Sequence, residues 1–128
     1  MMSSSQGRQV LLVEDDSDYR TMMRCFLEAG NWNVTEASNG LEALRHMAEA
    51  SPDLMITDID MPALNGIGLI NKLRESTQWS TLPIIIVTGN TLSIDFFLTL
   101  TEFVITKPAD KTKLLNYADA AMARKITT

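Results

Sequence analysis

Cysteine is nearly absent from this 128-residue chain. Cys25 stands alone, so no internal disulfide is possible, and a reducing compartment fits. It lies beside Phe26 in an apolar helical pattern, where a buried structural thiol is expected. Histidine is as scarce. His46 has no second histidine to join it, which argues against a transition-metal site and against a Ser-His-Asp set; it reads as a surface residue. No apolar run is long enough to cross a bilayer. The opening residues 1–8 are polar, lack the apolar stretch of a signal peptide, and read as a flexible leader. Runs of basic residues are missing too, and the net charge is -5, which argues against direct nucleic-acid binding. These absences leave a cytoplasmic globular protein with no membrane or nucleic-acid partner as the expectation.

What is present is a hydrophobic content of 45%, enough for one domain with a real core. Apolar runs of strand length alternate five times with helical periodicities. Val10-Leu11-Leu12-Val13 is the first strand. Asp16 or Ser17 caps a helix carrying Tyr19, Met22, Met23, Phe26 and Leu27, and Gly30-Asn31 ends it. A weaker strand from Trp32 to Ala37 has Val34 as its best core residue. Ser38-Asn39-Gly40 is then a turn and cap, with Ser38 read as the capping residue, before a helix with Leu41, Leu44, Met47 and Ala48 inward. The third strand ends at Thr57, before Asp58 and Pro62, and a helix with Ile67, Ile70 and Leu73 inward follows. Pro83 leads into Ile84-Ile85-Ile86-Val87. A short helix from Ser93 to Leu100 precedes the strand Phe103-Val104-Ile105. Asp110 caps a last helix with Leu114, Leu115, Ala118, Ala121 and Met122 inward. Trp32, Trp79 and the methionines read as packing residues.

Continuous apolar strands separated by helices imply a parallel sheet covered on both faces. With right-handed crossovers, the expected fold is α/β: a flavodoxin-like, doubly wound (βα)5 three-layer sandwich with strand order 2-1-3-4-5. The domain is expected over 9–123, with a frayed tail at 124–128.

In such a sheet ligands bind beyond the carboxyl ends of the strands. Strand 1 ends in Glu14 and Asp15, strand 3 in Asp58, strand 4 in Thr88 and strand 5 in Lys107. Three carboxylates packed together, with one ammonium to offset them, repel by several kcal/mol at an effective dielectric of about 20. A hard divalent cation relieves that repulsion, and Mg²⁺ prefers one or two carboxylates, a carbonyl and waters. Asp15 and Asp58 are the expected direct ligands, with Glu14 acting through water and the backbone carbonyl of Asp60 completing the set. The metal and Lys107 then stand where a phosphoryl group moving onto Asp58 needs positive charge, and Thr88 offers a hydroxyl to a phosphoryl oxygen.

Glu14-Asp15, Asp58 with Met61-Pro62 and Gly66 behind it, Thr88, and Lys107-Pro108 together resemble the receiver domain of two-component response regulators, over about residues 8 to 123. The resemblance implies phosphotransfer from a histidine kinase or phosphotransfer protein to Asp58, followed by hydrolysis, in a module that catalyses its own phosphorylation but is not a turnover enzyme. It implies a Mg²⁺ cofactor, a cis Lys107-Pro108 bond, and a readout in which Thr88 and Lys107 read the phosphate and shift the fourth helix, fifth strand and fifth helix to change contacts with a downstream protein or a second copy.

Three features depart from the family pattern. Receivers usually carry an aromatic switch residue three positions before the lysine. Here that position is Val104, and Phe103, one residue earlier, faces the other way on a strand. Lys107 follows Thr88 by only 19 residues, so the fourth helix is expected to be short, tilted or mobile. That helix carries more apolar residues than one face can bury, and Phe96 and Phe97 are the expected partner or dimer contact, with extra core filling as the alternative. Asp60 adds a carboxylate two residues after Asp58, either to influence the hydrolytic water or as a solvated loop acid.

Two other functions compete. Asp58-Ile59-Asp60 looks like the nucleophile motif of haloacid dehalogenase-like phosphatases, but it follows the third strand rather than the first. A receiver-like scaffold that binds partners without phosphorylation is favoured by Val104 and opposed by the complete acidic and Lys107 set.

Overall fold

A computed structural model describes residues 7–127, with side chains described through Arg124. Residues 1–6 of the expected leader therefore lie outside the described residues. The elements are β1 (Gln9–Val13), α1 (Ser17–Ala29), β2 (Asn33–Ala37), α2 (Gly40–Ala50), β3 (Leu54–Thr57), α3 (Gly66–Glu75), β4 (Ile84–Thr88), α4 (Ile94–Leu100), β5 (Phe103–Thr106) and α5 (Lys111–Thr127). The strands form one parallel sheet in the order β2-β1-β3-β4-β5, the expected doubly wound fold.

Alternation along the strands divides the core into two layers. Leu11, Val13, Met55, Ile84 and Ile86 face α2, α3 and α4, where Met47, Leu69, Leu73 and Phe97 meet them. Val10, Leu12, Leu54, Ile56, Ile85 and Val87 face α1 and α5, against Met23, Leu27, Leu114 and Ala118. Each fully buried Leu, Ile or Val side chain contributes about 1.5–3 kcal/mol through area removed from water.

Helix starts follow side-chain chemistry. Asp16 caps α1, accepting from the N–H groups of Asp18 (3.0 Å) and Tyr19 (3.1 Å). Asn39 caps α2 through Glu42 N–H at 2.9 Å. Ser17 and Ser38, read as caps from the sequence, are not: Ser17 is already helical, and Ser38 N–H instead donates to the Glu42 carboxylate. Asp110 accepts from Lys113 N–H at 2.8 Å at the start of α5, as expected.

Several inward assignments are corrected. Cys25 is exposed. The buried residues of α1 are Met23 and Leu27, and at about 100° per residue Cys25 lies some 200° from each. On α2 the buried face is Gly40, Ala43 and Met47, whereas Leu41 and Ala48 are exposed. That face is set by Gly40, whose N–H donates to Leu64 O at 3.0 Å and brings α2 against the loop before α3. In β2 the buried residue is Ala37 and Val34 is only half-buried, because β2 is an edge strand. Helix α5 runs on to Thr127, past the frayed tail expected from 124. Arg8, counted with the leader, is tied to the fold: it pairs with Asp119 at 2.7 Å, donates to Gly30 O at 3.0 Å and lies 4.3 Å over the Trp32 ring.

Candidate functional site

The rim is built by the ladder running one residue beyond each strand. Val13 pairs with Thr57, and the next N–H groups continue across: Asp58 N–H donates to Val13 O at 3.0 Å, and Glu14 N–H to Ala37 O at 3.0 Å. On the other side Lys107 N–H donates to Thr88 O at 2.8 Å. Backbone register thus brings Glu14, Asp58, Thr88 and Lys107, from four different strands, to one edge. Behind them Gly66 closes the Asp58 loop by donating to Ile59 O at 2.8 Å. A Cβ there would stand 2.2 Å from the Asp58 carbonyl oxygen, so only glycine permits this approach.

Carboxylate oxygens of Glu14, Asp15 and Asp58 lie within 4.8 Å of one another. Glu14 is fully buried, Asp58 is 6% exposed and Asp15 faces solvent. The Lys107 ammonium sits 2.9 Å from Asp58 Oδ2 and 2.9 Å from Glu14 Oε1. Asp58 Oδ1 accepts the N–H of Ile59 at 2.6 Å, and Glu14 Oε2 that of Asp16 at 3.1 Å. Thr88 is buried, and its Oγ1 accepts Asn90 N–H at 3.0 Å. Asp60 is exposed.

Burial holds the Glu14 carboxyl above its ordinary range and the Asp58 charge adds to this, against the opposing hydrogen bonds from Lys107 and Asp16. Burial alone would lower Lys107, but its hydrogen bonds to Asp58 and Glu14 outweigh that and raise it, so the ammonium is kept at neutral pH. A set of oxygen donors only, mostly withdrawn from water and opened on one side by Asp15, suits a hard divalent cation such as Mg²⁺.

Tyr19 also belongs to this site, although its helical spacing reads as core filling. The Lys107 ammonium lies 4.5 Å from its ring centre, and its hydroxyl accepts the N–H of Ala109. The available signal was its place one turn beyond Asp15. Helical side chains lean toward the N-terminus, and α1 starts at the rim. The Lys107-Pro108 bond is cis, as expected.

The region between the rim and α4 follows the expectation in part. Val104 packs with the layer that contains Phe97. Phe103 faces the opposite layer, its ring 5.6 Å from that of Tyr117. Helix α4 has only seven residues. Phe97, expected at a contact face, is 1% exposed and anchors α4 to the core; Phe96 is 48% exposed. The two are adjacent, so about 100° of helical rotation separates their faces. The exposed apolar residues here are Leu92, Phe96 and Leu98. His46 lies on α2 among Glu42, Arg45 and Glu49.

Comparison with known proteins agrees with this geometry. The family model for the response regulator receiver domain matches residues 10–119. The CAI-1 autoinducer sensor kinase/phosphatase CqsS of Vibrio cholerae is 33% identical over 121 residues, covering 91% of this chain and 18% of that protein. The chain thus spans less than a fifth of that relative's length. Among solved structures, a response regulator receiver domain protein from Clostridium thermocellum superposes with a TM-score of 0.83 at 27% identity, covering 94% of this chain and 98% of the other. The receiver domain of sensor histidine kinase PA1611 from Pseudomonas aeruginosa PAO1, with magnesium coordinated in its active-site cleft, gives 0.84 at 25% identity, covering 91% and 98%.

Proposed function

The chain belongs to the response regulator receiver domain family of two-component systems, and from that premise we propose that Asp58 accepts a phosphoryl group from the phosphohistidine of a histidine kinase or phosphotransfer protein. The observation that carries this reading is a nearly buried Asp58 sharing one ammonium with Glu14, while a third carboxylate completes a cluster within 4.8 Å.

The chemistry follows from the residues. An Asp58 carboxylate oxygen attacks phosphorus, the phosphorus–nitrogen bond of the donor breaks, and the donor histidine leaves with the electron pair and takes up a proton. Water later attacks the acyl phosphate, restoring the carboxylate and releasing inorganic phosphate. Lys107 supplies positive charge beside the transferred group, and its elevated pKa keeps that charge. Thr88 turns from Asn90 N–H to donate its hydroxyl to a phosphoryl oxygen. When bound, Mg²⁺ would be held by Asp15 and Asp58, by Glu14 through water and by the Asp60 backbone carbonyl, and would neutralise charge on the phosphoryl oxygens. Asp60 is exposed two residues after the acceptor; we propose that it influences the hydrolytic water, with a solvated loop acid as the alternative.

The module is not a turnover enzyme. Its output is a changed protein contact, with a downstream protein or a second copy, through the face of α4, β5 and α5, with Thr88 and Val104 as the switch positions. We assign it to the cytoplasm. Among the described residues no helix is long and apolar enough to cross a membrane.

A constitutive scaffold is the second reading, favoured by Val104 where an aromatic switch is usual. Amide spectra with Mg²⁺ and beryllofluoride separate the two. A switching receiver shows shifts at Asp58, Thr88 and Lys107 that continue into α4, whereas a constitutive scaffold leaves the spectrum unchanged.

A further inference from the structure

Lys107 comes from a loop, and a loop ammonium on a four-carbon stem is poorly fixed by two carboxylates alone. Both of its carboxylate partners also belong to the set suited to a divalent cation, so their hold on Lys107 weakens when that charge is shared. A neutral partner does not compete in this way. Tyr19 is such a partner. Its ring lies 4.5 Å from the Lys107 ammonium, within range of a cation–π interaction. Its hydroxyl accepts Ala109 N–H, two residues further along the same loop. Ala109 is itself buried, so its amide is shielded and needs that acceptor. One side chain from α1 therefore grips the lysine loop at its charge and at its backbone.

We propose that Tyr19 is a positioning residue for Lys107, holding the ammonium over the phosphoacceptor by its ring and fixing the loop by its hydroxyl. The proposal rests on the receiver reading and adds to it a residue outside the strand-end set. Tyr19→Leu removes both contacts and Tyr19→Phe removes only the hydroxyl. The rate constant for phosphorylation by a small-molecule donor such as acetyl phosphate is expected to fall about five- to twentyfold in Tyr19→Leu, which loses the cation–π contact, and about two- to threefold in Tyr19→Phe, which keeps the ring and loses only the hydroxyl. Mg²⁺ affinity by calorimetry is expected to stay within about twofold.

A double-mutant cycle separates positioning from general loosening. In a Lys107→Ala background, Tyr19→Leu is expected to cause no further loss. An equal loss with and without Lys107, or a wild-type rate in Tyr19→Leu, overturns the proposal. A second readout needs neither metal nor phosphoryl donor: Ala109 amide exchange in the metal-free protein should quicken about tenfold in Tyr19→Phe, with the Ala118 amide unchanged. If Tyr19→Leu does not fold, Tyr19→Phe carries the same cycle, and unchanged rate and exchange there overturn the proposal. Failure of the wild type itself to take up phosphate is a different result, and it counts against the receiver reading.

Discussion

Glu14 is a fully buried carboxylate beside a second acid, and folding works against its charge. Because its folded pKa is raised above 4.5, the stability its neutral form contributes is complete below about 4.5 and is lost as pH rises through the folded value. Lys107 is raised as well; its contribution is complete below 10.5 and is lost as pH climbs through its higher folded value. Both groups therefore make the metal-free protein less stable at rising pH, in two separate windows. Glu14→Gln, which cannot ionise, should melt a few degrees above wild type near neutral pH without metal. The gain should fade as pH falls toward 4.5, and thermal melts across that range measure it. A mutant whose deficit relative to wild type grows as pH rises above 4.5 would mean that the ion pair with Lys107 outweighs the cost of burial. At this scale the rim was legible because apolar runs stop abruptly at Glu14, Asp58 and Thr88, and because Lys107 precedes a proline. Tyr19 was not legible, since an aromatic at helical spacing looks the same whether it fills a core or reaches back to a neighbouring loop.

Helix α4 is about 10 Å long and starts without a side-chain cap. Its hold on the sheet depends on Phe97, aided by the Thr101 hydroxyl donating to Ile84 O at 2.6 Å. Phe97→Ala should cost about 3–5 kcal/mol, as for other large buried aromatics, and urea unfolding reads this directly. Phe96→Ser should change stability by less than about 0.5 kcal/mol, yet weaken self-association or partner binding if the exposed face of Leu92, Phe96 and Leu98 is a contact; sedimentation of the activated protein tests that. Gly66→Ala, which must push backbone aside at Asp58, should cost roughly 1–3 kcal/mol by overpacking and move the Asp58 amide resonance. The ten elements and their order were legible from apolar runs and their spacing. The faces of α1, α2 and α4 were less so. Cys25, Leu41 and Phe97 sit in patterns that admit rotation by a residue, and the choice was made by tertiary neighbours such as Leu64 beside Gly40.

The molecule as a whole carries a net charge of -5 and gathers three carboxylates at one end of its sheet. A ligand that binds only the folded state stabilises it by mass action, by about 2.7 kcal/mol at a hundredfold excess over Kd. Mg²⁺ should therefore raise Tm in proportion to the logarithm of its concentration, and NaCl of equal ionic strength should not reproduce the effect. Asp58→Asn should remove most of the response, since it takes one of the three carboxylates from the cluster. The doubly wound topology explains why distant segments make one site: parallel strands all present their carboxyl ends on the same edge.

The most direct test of the central claim is intact-protein mass after incubation with acetyl phosphate and Mg²⁺, for wild type and for Asp58→Asn. The expected result is one added phosphoryl group on wild type and none on the variant. An adduct that survives in Asp58→Asn contradicts the assignment of the acceptor and points to Asp60. No adduct on wild type, together with no spectral response to beryllofluoride, contradicts the phosphoacceptor reading altogether.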